Sequence, residues 1–294
     1  MKSGFVAIIG RPNVGKSTIL NSILKTKLSI VTDKSQTTRN TIRGIYNKEG
    51  VQIVFLDTPG IHKPFKKLGT QMNSMAYSAS HDVDAVVLVV DVSVPFGKGD
   101  EYLLEKLSID CPLLVVFNKI DQTNVLRAEA IKEKYKEHFK GATFIDTVAK
   151  EGVNVDLLLE KIIETLPEGP QYYPTEMITD RDEIFLISEV IREKILKVLK
   201  EEVPHSIAVN VTSLKEENKK VIVEATIFVE KDSQKAIVIG AQGKIIKKIG
   251  TNSRREIERI VKKRVFLELV VKVKKDWRDD ERLLQELGYL YKKQ

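Results

Sequence analysis

Short apolar runs alternate with helix-like segments over the first 166 residues of the chain. Between the runs, the spacing of apolar positions predicts helices over 16–25, 99–108, 126–139 and 155–166. Strands are predicted at FVAIIG, IRGIYN, VQIVFLD, AVVLVVD, LLVVFN and TFIDTV. Continuous Val, Ile and Leu strands separated by amphipathic helices predict an α/β fold, with a mostly parallel six-stranded sheet covered on both faces. The linker KEG is too short for a crossover, so we expect the second and third strands to pair antiparallel.

The pattern changes after LPEGPQYYPTEMITD, which has three prolines and a glycine and is typical of a domain boundary. We expect a first domain over 1–168, a linker over 169–180 and a second domain over 181–294. The second domain reads as an α+β unit whose element order differs from the first. Its predicted elements are a helix over 181–200, strands over 205–214 and 219–230 with KEEN as their turn, a short helix over 233–239, the loop GAQG, a basic helix over 244–262, a strand over 265–274 and a tail helix over 277–290.

Positive charge is concentrated in the second domain. From Arg181 onward there are 26 Lys and Arg against 19 Asp and Glu, whereas the preceding residues are balanced. The excess is densest between Gln234 and Lys275, with 13 basic residues against three acidic ones. A patch of one sign predicts an anionic polymer or an anionic lipid surface as the partner. The single cysteine, Cys111, excludes an internal disulfide framework and fits a cytoplasmic location.

The loop GRPNVGKST follows the first predicted strand and opens the first predicted helix. It fits G-x-x-x-x-G-K-[ST], the P-loop pattern, in which backbone N–H groups surround phosphate oxygens. The lysine of this pattern reaches the β- and γ-phosphates, and the serine hydroxyl is a ligand of Mg²⁺. We therefore expect a nucleoside triphosphate to bind at Gly10, Arg11, Pro12, Asn13, Val14, Gly15, Lys16, Ser17 and Thr18.

Two more loops at strand ends narrow the choice of nucleotide. In DTPG, Asp57 is expected to hold Mg²⁺ and the N–H of Gly60 to meet the γ-phosphate. In NKID, the carboxylate of Asp121 can accept two hydrogen bonds from the edge of guanine, where adenine offers neither donor. The motifs therefore predict GTP and GDP as ligands. The loops contribute Asp57, Thr58, Pro59, Gly60, Asn118, Lys119 and Asp121, together with Val148, Ala149 and Lys150 from TVAK, a looser match because valine replaces the usual serine.

These motifs resemble the P-loop GTPases of the translation-factor class, and the chain as a whole is most similar to the Era family. That family joins such a domain to a C-terminal KH domain of the second topological type, which matches the element order predicted above. The resemblance implies that QTTRN is the first switch, in which Thr38 would be a further ligand of Mg²⁺. The switch residues implied in this way are Gln36, Thr37, Thr38 and Arg39, followed after DTPG by Ile61.

Two positions bear on how GTP would be hydrolysed. Ile61 stands where Ras-like enzymes place a glutamine, and an isoleucine side chain cannot hydrogen-bond to the attacking water. The Era family shares this hydrophobic residue, which implies slow intrinsic hydrolysis with help from elsewhere. Asn13 matches the asparagine that binds K⁺ in potassium-activated relatives, but asparagine also suits a tight loop, and both interpretations stay open.

The second glycine loop, GAQG, lies between two predicted helices in the basic region and has no Lys-Ser pair in the P-loop register. In KH domains a loop of this kind holds about four nucleotides by their backbone, so it predicts single-stranded RNA as the ligand. Ile245, Ile246 and Ile249 are expected to offer an apolar surface to the bases. The expected RNA-binding residues are Gly240, Ala241, Gln242, Gly243, Lys244, Ile245, Ile246, Lys247, Lys248, Arg254 and Arg255.

The favoured function is a GTP-hydrolysing switch that binds RNA as a monomer. The resemblance makes this RNA the 3′ end of 16S rRNA, during assembly of the small (30S) ribosomal subunit. The alternative is a GTPase docked on a membrane or a protein partner through its basic domain, without an RNA role. Peripheral association with the cytoplasmic face of the inner membrane is a family trait and could coexist with RNA binding. A metabolic P-loop kinase is disfavoured, because NKID reads guanine and no acceptor-substrate domain is visible.

Overall fold

The structure, a computed structural model, describes residues 1–34, 36–199 and 203–290. The chain divides into two compact units. The first consists of Met1–Val31, Thr38–Phe65 and Gly69–Asp180, and the second consists of the residues from Arg181 onward together with the short segments Thr32–Thr37 and Lys66–Leu68. Within the described ranges, none of the helices has the length and apolar character needed to cross a membrane.

The first unit is built on one six-stranded sheet with the strand order β2-β3-β1-β4-β5-β6. Only β2 and β3 are antiparallel, as expected from the short KEG turn, and all other neighbours are parallel. The strands are β1 (Lys2–Gly10), β2 (Ile42–Lys48), β3 (Val51–Asp57), β4 (Ala85–Asp91), β5 (Leu113–Asn118) and β6 (Thr143–Thr147). The helices are α1 (Lys16–Leu24), α2 (Lys67–Ser80), α3 (Lys98–Lys106), α4 (Val125–His138) and α5 (Val155–Thr165).

Apolar side chains fill both faces of this sheet, which confirms the predicted α/β fold. Along β1, Val6 and Ile8 belong to the core beneath α1 and α5, whereas Ala7 and Ile9 belong to the core on the other face. Successive residues of a strand point to opposite faces, so a strand buried on both sides must be apolar throughout. The carboxyl ends of the parallel strands carry the predicted motif loops at one edge of the sheet.

Helix α2, over Lys67–Ser80, is not among the helices predicted from the sequence pattern. Leu68, Met72 and Ala76 are buried at a spacing of four residues, which is a helical repeat. The intervening glycine and polar residues dilute the apolar signal, so only the spacing could have revealed the helix.

The residues between α5 and the second unit lie along β2. Gln52 on β3 is fully buried, and its Oε1 accepts hydrogen bonds from the backbone N–H groups of Tyr172 and Tyr173 at 2.6 and 3.0 Å. Further along, the N–H of Ile45 donates to the carbonyl oxygen of Ile178 at 2.8 Å. This segment therefore covers the edge of the sheet that β2 would otherwise expose.

The second unit contains a three-stranded sheet in the order β7-β8-β9, with β7 antiparallel and β9 parallel to β8. Its elements follow one another in the predicted α+β order. They are α6 (Glu183–Val198), β7 (Ala208–Glu217), β8 (Lys220–Val229), α7 (Asp232–Ile239), α8 (Lys244–Val261), β9 (Arg264–Val273) and α9 (Glu281–Glu286). The core between the sheet and the helices α6, α7 and α8 includes Ile191, Ile227 and Val238, which are fully buried.

Two predicted features of the second unit are wrong in detail. KEEN is not the turn, because β7 continues to Glu217 and the turn consists of Asn218 and Lys219, with φ of 47° and 65°. Such a two-residue turn with positive φ matches the twist of a hairpin. The tail is not one helix over 277–290. Trp277 begins a short 3-10 helix. Its side chain is fully buried, and its indole N–H donates to the carbonyl oxygen of Ser206. Helix α9 then ends at Glu286, before Gly288, which has a φ of 73°.

Candidate functional sites

The loop between β1 and α1 has a shape that depends on its glycines. Gly10 and Gly15 have φ of 145° and 107°, a region that favours glycine. A Cβ at Gly10 would lie 2.4 Å from the carbonyl oxygen of Val89, and one at Gly15 would lie 2.3 Å from the side-chain amide of Asn118. The loop leads directly into α1, whose first N–H groups have no partner within the helix and suit an anion.

Lys16 is the first residue of α1, and its ammonium group is buried in the loop. Its Nζ donates hydrogen bonds to the carbonyl oxygens of Gly10 at 3.2 Å and Arg11 at 2.8 Å. Burial lowers the pKa of Lys16 to about 8, and the nearby charge of Asp57 opposes the shift. The loop thus fixes a cation at the position that the P-loop pattern assigns to the β- and γ-phosphates.

Three oxygen-bearing side chains meet beside Lys16. The hydroxyl of Ser17 donates to Oδ2 of Asp57 at 2.7 Å, and it lies 3.0 Å from the hydroxyl of Thr38. The other carboxylate oxygen of Asp57, Oδ1, is buried and has no hydrogen-bond partner in the described part of the chain. Burial raises the pKa of Asp57, against the hydrogen bond from Ser17 and the charge of Lys16. The structure thus brings together the three residues expected to bind Mg²⁺.

The DTPG loop packs against the P-loop. The N–H of Ile61 donates to the carbonyl oxygen of Gly10 at 3.1 Å, and a Cβ at Gly60 would lie 2.6 Å from the Cα of Pro12. The side chain of Ile61 is buried in the core on one face of the sheet, with Ile9 and Ala76 among its members. Ile61 therefore has a packing role that the sequence alone did not reveal.

Asn118 connects three of the predicted loops. Its side-chain amide donates to the carbonyl oxygen of Val14 at 2.8 Å, and its Oδ1 accepts from the hydroxyl of Thr147 at 3.1 Å and the N–H of Ala149 at 3.0 Å. Lys119 adds a hydrogen bond from its Nζ to the carbonyl oxygen of Asn13 at 2.8 Å. Asp121, in contrast, is exposed beside these loops.

Two partner residues in this site were not found from the sequence. Asp91, at the end of β4, accepts a hydrogen bond from Nζ of Lys119 at 2.5 Å. Asn73 on α2 is buried and holds the loop after Ile61, because its side chain donates to the carbonyl oxygen of His62 and accepts from the N–H of the same residue. Neither residue belongs to a motif. The position of Asp91 as the last residue of the buried strand β4 was the one available signal.

The residues of the first predicted switch, 36–39, lie within the described ranges. Thr38 and Arg39 are buried, and the hydroxyl of Thr37 donates to the carbonyl oxygen of Lys34 at 2.6 Å. Val148 and Ala149 of the TVAK loop are also buried, and Val148 pairs with Val153 in a short bridge. Lys150 is exposed.

The GAQG loop joins α7 to α8 in the second unit, where predicted. Gly240, Gln242 and Gly243 have φ of 72°, 50° and 72°. A Cβ at Gly240 would lie 2.5 Å from the side chain of Ile245, so the loop is both left-handed and closely packed. Ala241 and Gln242 are exposed at its tip.

Helix α8 presents a basic surface next to a shallow groove. Five predicted basic residues are exposed, namely Lys244, Lys247, Lys248, Arg254 and Arg255. A groove of about 340 Å³ lies between α8 and the edge strand β9, with Ile246, Gly250, Leu267 and Leu269 in its lining. The expectation for Ile249 is wrong, because this side chain is fully buried in the core and cannot meet a base. On the groove side, Phe266 is more than half exposed and was not predicted.

Comparison with known proteins relates both units to described families. Residues 5–119 match the family described as 50S ribosome-binding GTPase, and residues 202–278 match the KH domain. GTPase Era from Clostridium kluyveri is 50% identical over 291 residues, which cover 98% of this chain and 99% of that protein.

The chain belongs to the GTPase Era family. Membership makes it a GTP-hydrolysing enzyme with a KH domain, as the motifs and the resemblance predict.

Two solved Era structures are similar over nearly the whole chain. One is a variant of Era from Aquifex aeolicus bound to GDP and AlF4⁻, with 36% identity, a TM-score of 0.94 and coverage of 99% of this chain and 100% of that one. The other is Era in complex with MgGDPNP and nucleotides 1506–1542 of 16S ribosomal RNA, with 37% identity, a TM-score of 0.93 and the same coverage. The predicted fold class is thus confirmed for both units.

Proposed function

We propose that this GTPase binds single-stranded RNA through its KH domain, at the 3′ end of 16S rRNA, and acts as a monomer in the cytoplasm during assembly of the small ribosomal subunit. The observation that carries the proposal is the GAQG loop with its exposed basic helix and apolar groove, in a chain that also has a GTP site. A similar Era protein has been solved in complex with nucleotides 1506–1542 of 16S ribosomal RNA, which supports the choice of RNA.

Mg²⁺ is proposed as the cofactor, held by Ser17, Thr38 and Asp57. Hydroxyl and carboxylate oxygens are the ligands that Mg²⁺ prefers, and the buried Oδ1 of Asp57 is an oxygen without a hydrogen bond in the described ranges. When bound, the ion would neutralise charge that develops on the phosphates. A similar Era protein crystallised with MgGDPNP, which supports the assignment.

Residues of the chain itself bind the phosphates and the guanine base in the GTP site. The backbone N–H groups of residues 10–18, apart from Pro12, which has none, bind the phosphates, the ammonium group of Lys16 adds its charge, and the carboxylate of Asp121 accepts from the guanine edge. The side chain of Ile61 is buried and apolar, so the attacking water must be oriented by another group. Hydrolysis without that group is therefore slow.

K⁺ is proposed as a second ion, beside Asn13. The left-handed backbone of Asn13, with φ of 64°, turns the P-loop at this residue, and its carbonyl oxygen accepts from Lys119. If K⁺ binds there, the variant Asn13→Ala loses any stimulation of hydrolysis by K⁺ over Na⁺. Equal rates with both ions in the unmodified protein would remove this role.

In the second unit, the RNA backbone would lie along GAQG and the exposed lysines of α8, and the bases would enter the groove that Ile246 and Leu269 line. Such a groove is apolar at its base and positive at its rim, as single-stranded RNA requires. Ultraviolet crosslinking of the purified protein to cellular RNA, with GTP or GDP present, tests the proposal. We expect enrichment of the 3′ end of 16S rRNA. Binding to vesicles that contain anionic lipid, with no RNA enriched, would favour the membrane-docked alternative.

A further inference from the structure

Arg11 lies in the P-loop, but its side chain contacts α3. Its Nη1 donates a hydrogen bond to Oδ2 of Asp100 at 2.5 Å. Asp100 is buried, whereas about one third of the Arg11 side chain is exposed. The P-loop pattern allows any residue at this position, so the pattern does not explain the ion pair.

Asp100 accepts hydrogen bonds from two more donors besides the guanidinium group. The hydroxyl of Tyr135 on α4 donates to its Oδ1 at 2.7 Å, and the N–H of Gly97 donates to its Oδ2 at 3.0 Å. Tyr135 is buried, and burial together with the charge of Asp100 raises the pKa of its phenol. The phenol therefore stays protonated and remains a donor at physiological pH. A buried carboxylate with three donors is held in one orientation.

The first turn of α3 has room for the guanidinium group because residue 99 is glycine. A Cβ at Gly99 would lie 2.7 Å from Nε of Arg11 and 2.9 Å from its Cζ. Gly97, two residues earlier, differs, since a Cβ there would meet nothing within 4 Å. Neither glycine has a left-handed φ, so packing against Arg11 is what distinguishes them.

The backbone of Arg11 connects this contact to the ammonium group of the site. Its carbonyl oxygen accepts a hydrogen bond from Nζ of Lys16 at 2.8 Å. A shift of Arg11 would move this acceptor, and Lys16 would lose part of the support that holds it in the loop.

We propose that Gly99 and Asp100 of α3 and Tyr135 of α4 form an arginine seat, which holds Arg11 and so keeps the P-loop and Lys16 in the arrangement that binds the phosphates of GTP and GDP. The seat residues are positioning residues, since each acts on the nucleotide through Arg11. The inference rests on the assignment of the P-loop as the nucleotide site. That assignment fails by itself if Lys16→Ala still binds GDP normally.

The two glycines provide a matched pair of variants in the full-length protein. In Gly99→Ala, the new methyl group displaces the guanidinium group, and we expect GDP to dissociate about tenfold faster, the loss expected for one charge-assisted hydrogen bond. Gly97→Ala adds the same methyl group at a place where a Cβ would meet nothing within 4 Å, and it keeps the backbone N–H that donates to Asp100, so its GDP dissociation rate should stay within about twofold of the unmodified protein. Alanine favours a helix over glycine by up to about 1 kcal/mol, which offsets part of the lost hydrogen bond to Asp100, so the melting temperature of Gly99→Ala should change by only a few degrees.

A double variant distinguishes the loss of the arginine seat from a general effect of Gly99→Ala on the structure of α3. On an Arg11→Ala background, Gly99→Ala should add no further acceleration, because the residue through which it acts is gone. Tyr135→Phe removes one donor to Asp100, and we expect about a threefold faster release of GDP. Unchanged GDP release in both Gly99→Ala and Tyr135→Phe, or additive effects of Gly99→Ala and Arg11→Ala, would overturn the proposal.

Discussion

The side-chain amide of Asn118 donates a hydrogen bond to the carbonyl oxygen of Val14 at 2.8 Å, which ties the NKID loop to the P-loop. On its other side, Asn118 accepts from Thr147 and Ala149. One buried side chain thus aligns three loops that come from β1, β5 and β6.

Replacing Asn118 with alanine should therefore loosen all three loops. Each lost hydrogen bond is worth about 1 kcal/mol, so GDP affinity should fall roughly 100-fold. A fluorescent GDP analogue measures the affinity. Asn124→Ala is the control, because Asn124 is an exposed cap of α4 whose loss should cost about 1 kcal/mol of stability and leave GDP affinity unchanged. Equal affinities for the two variants would show that Asn118 does not organise the site.

Base selection should depend on Asp121. In Asp121→Asn, a double acceptor becomes a group that cannot match both guanine donors, so preference should move from GTP toward xanthosine triphosphate. Competition between the two nucleotides measures the preference. Since Asp121 is exposed, the change should leave the melting temperature nearly unaltered. A variant that keeps the original ratio would show that NKID does not read the base.

Ile61 should matter for folding more than for chemistry. Its side chain is fully buried, so Ile61→Ala would leave a cavity and cost about 2–5 kcal/mol of stability, too much for a clean test of turnover. Ile61→Val should cost about 1 kcal/mol and leave the basal hydrolysis rate within about twofold to threefold. Single-turnover hydrolysis of GTP provides the rate. A drop of more than tenfold in Ile61→Val would assign this side chain a part in catalysis.

The charge of Lys16 predicts how GDP binding responds to pH. Its pKa is about 8 in the protein, and phosphate oxygens beside it would raise that value. Above pH 8 the lysine must then take up a proton on binding, so GDP affinity should be flat below pH 8 and fall by up to about tenfold per pH unit above it. Titrations at pH 7, 8 and 9 give the slope. An affinity that does not change between pH 7 and 9 would show that burial does not lower the pKa of Lys16.

The structure could be predicted best from the sequence at positions where the fold requires one type of residue. Buried parallel strands need apolar residues on both faces, and β3, β4 and β5 have the bounds that their apolar runs predict. Gly10 and Gly15 could be found for a similar reason, since a phosphate loop needs their backbone freedom.

Residues that act through distant partners could not be found in this way. The roles of Asp100 and Gln52 depend on donors that are many residues away in the chain, and no local pattern marks them. The buried position of Ile249 was missed because α8 is amphipathic, and a one-residue difference decides which isoleucines face the groove and which face the core.

The two glycine loops of this chain are proposed to serve different ligands. Ala241→Asp with Gln242→Asp places two carboxylates at the exposed tip of GAQG, where an RNA backbone would approach. Thr212→Asp with Gln285→Asp adds the same charge at exposed positions of β7, the edge strand farthest from β9, and of α9. Both double variants should bind GDP as the unmodified protein does.

The most direct measurement is the affinity of the two double variants for a single-stranded RNA with the sequence of the 3′ end of 16S rRNA, at moderate salt. We expect the RNA affinity of the GAQG variant to fall at least about 100-fold, because its carboxylates repel the phosphates. The RNA affinity of the control should fall only a few-fold, because it has the same lower net charge but no carboxylates at the loop. If the GAQG variant binds this RNA as tightly as the control does, then GAQG is only a turn between two helices and does not bind RNA.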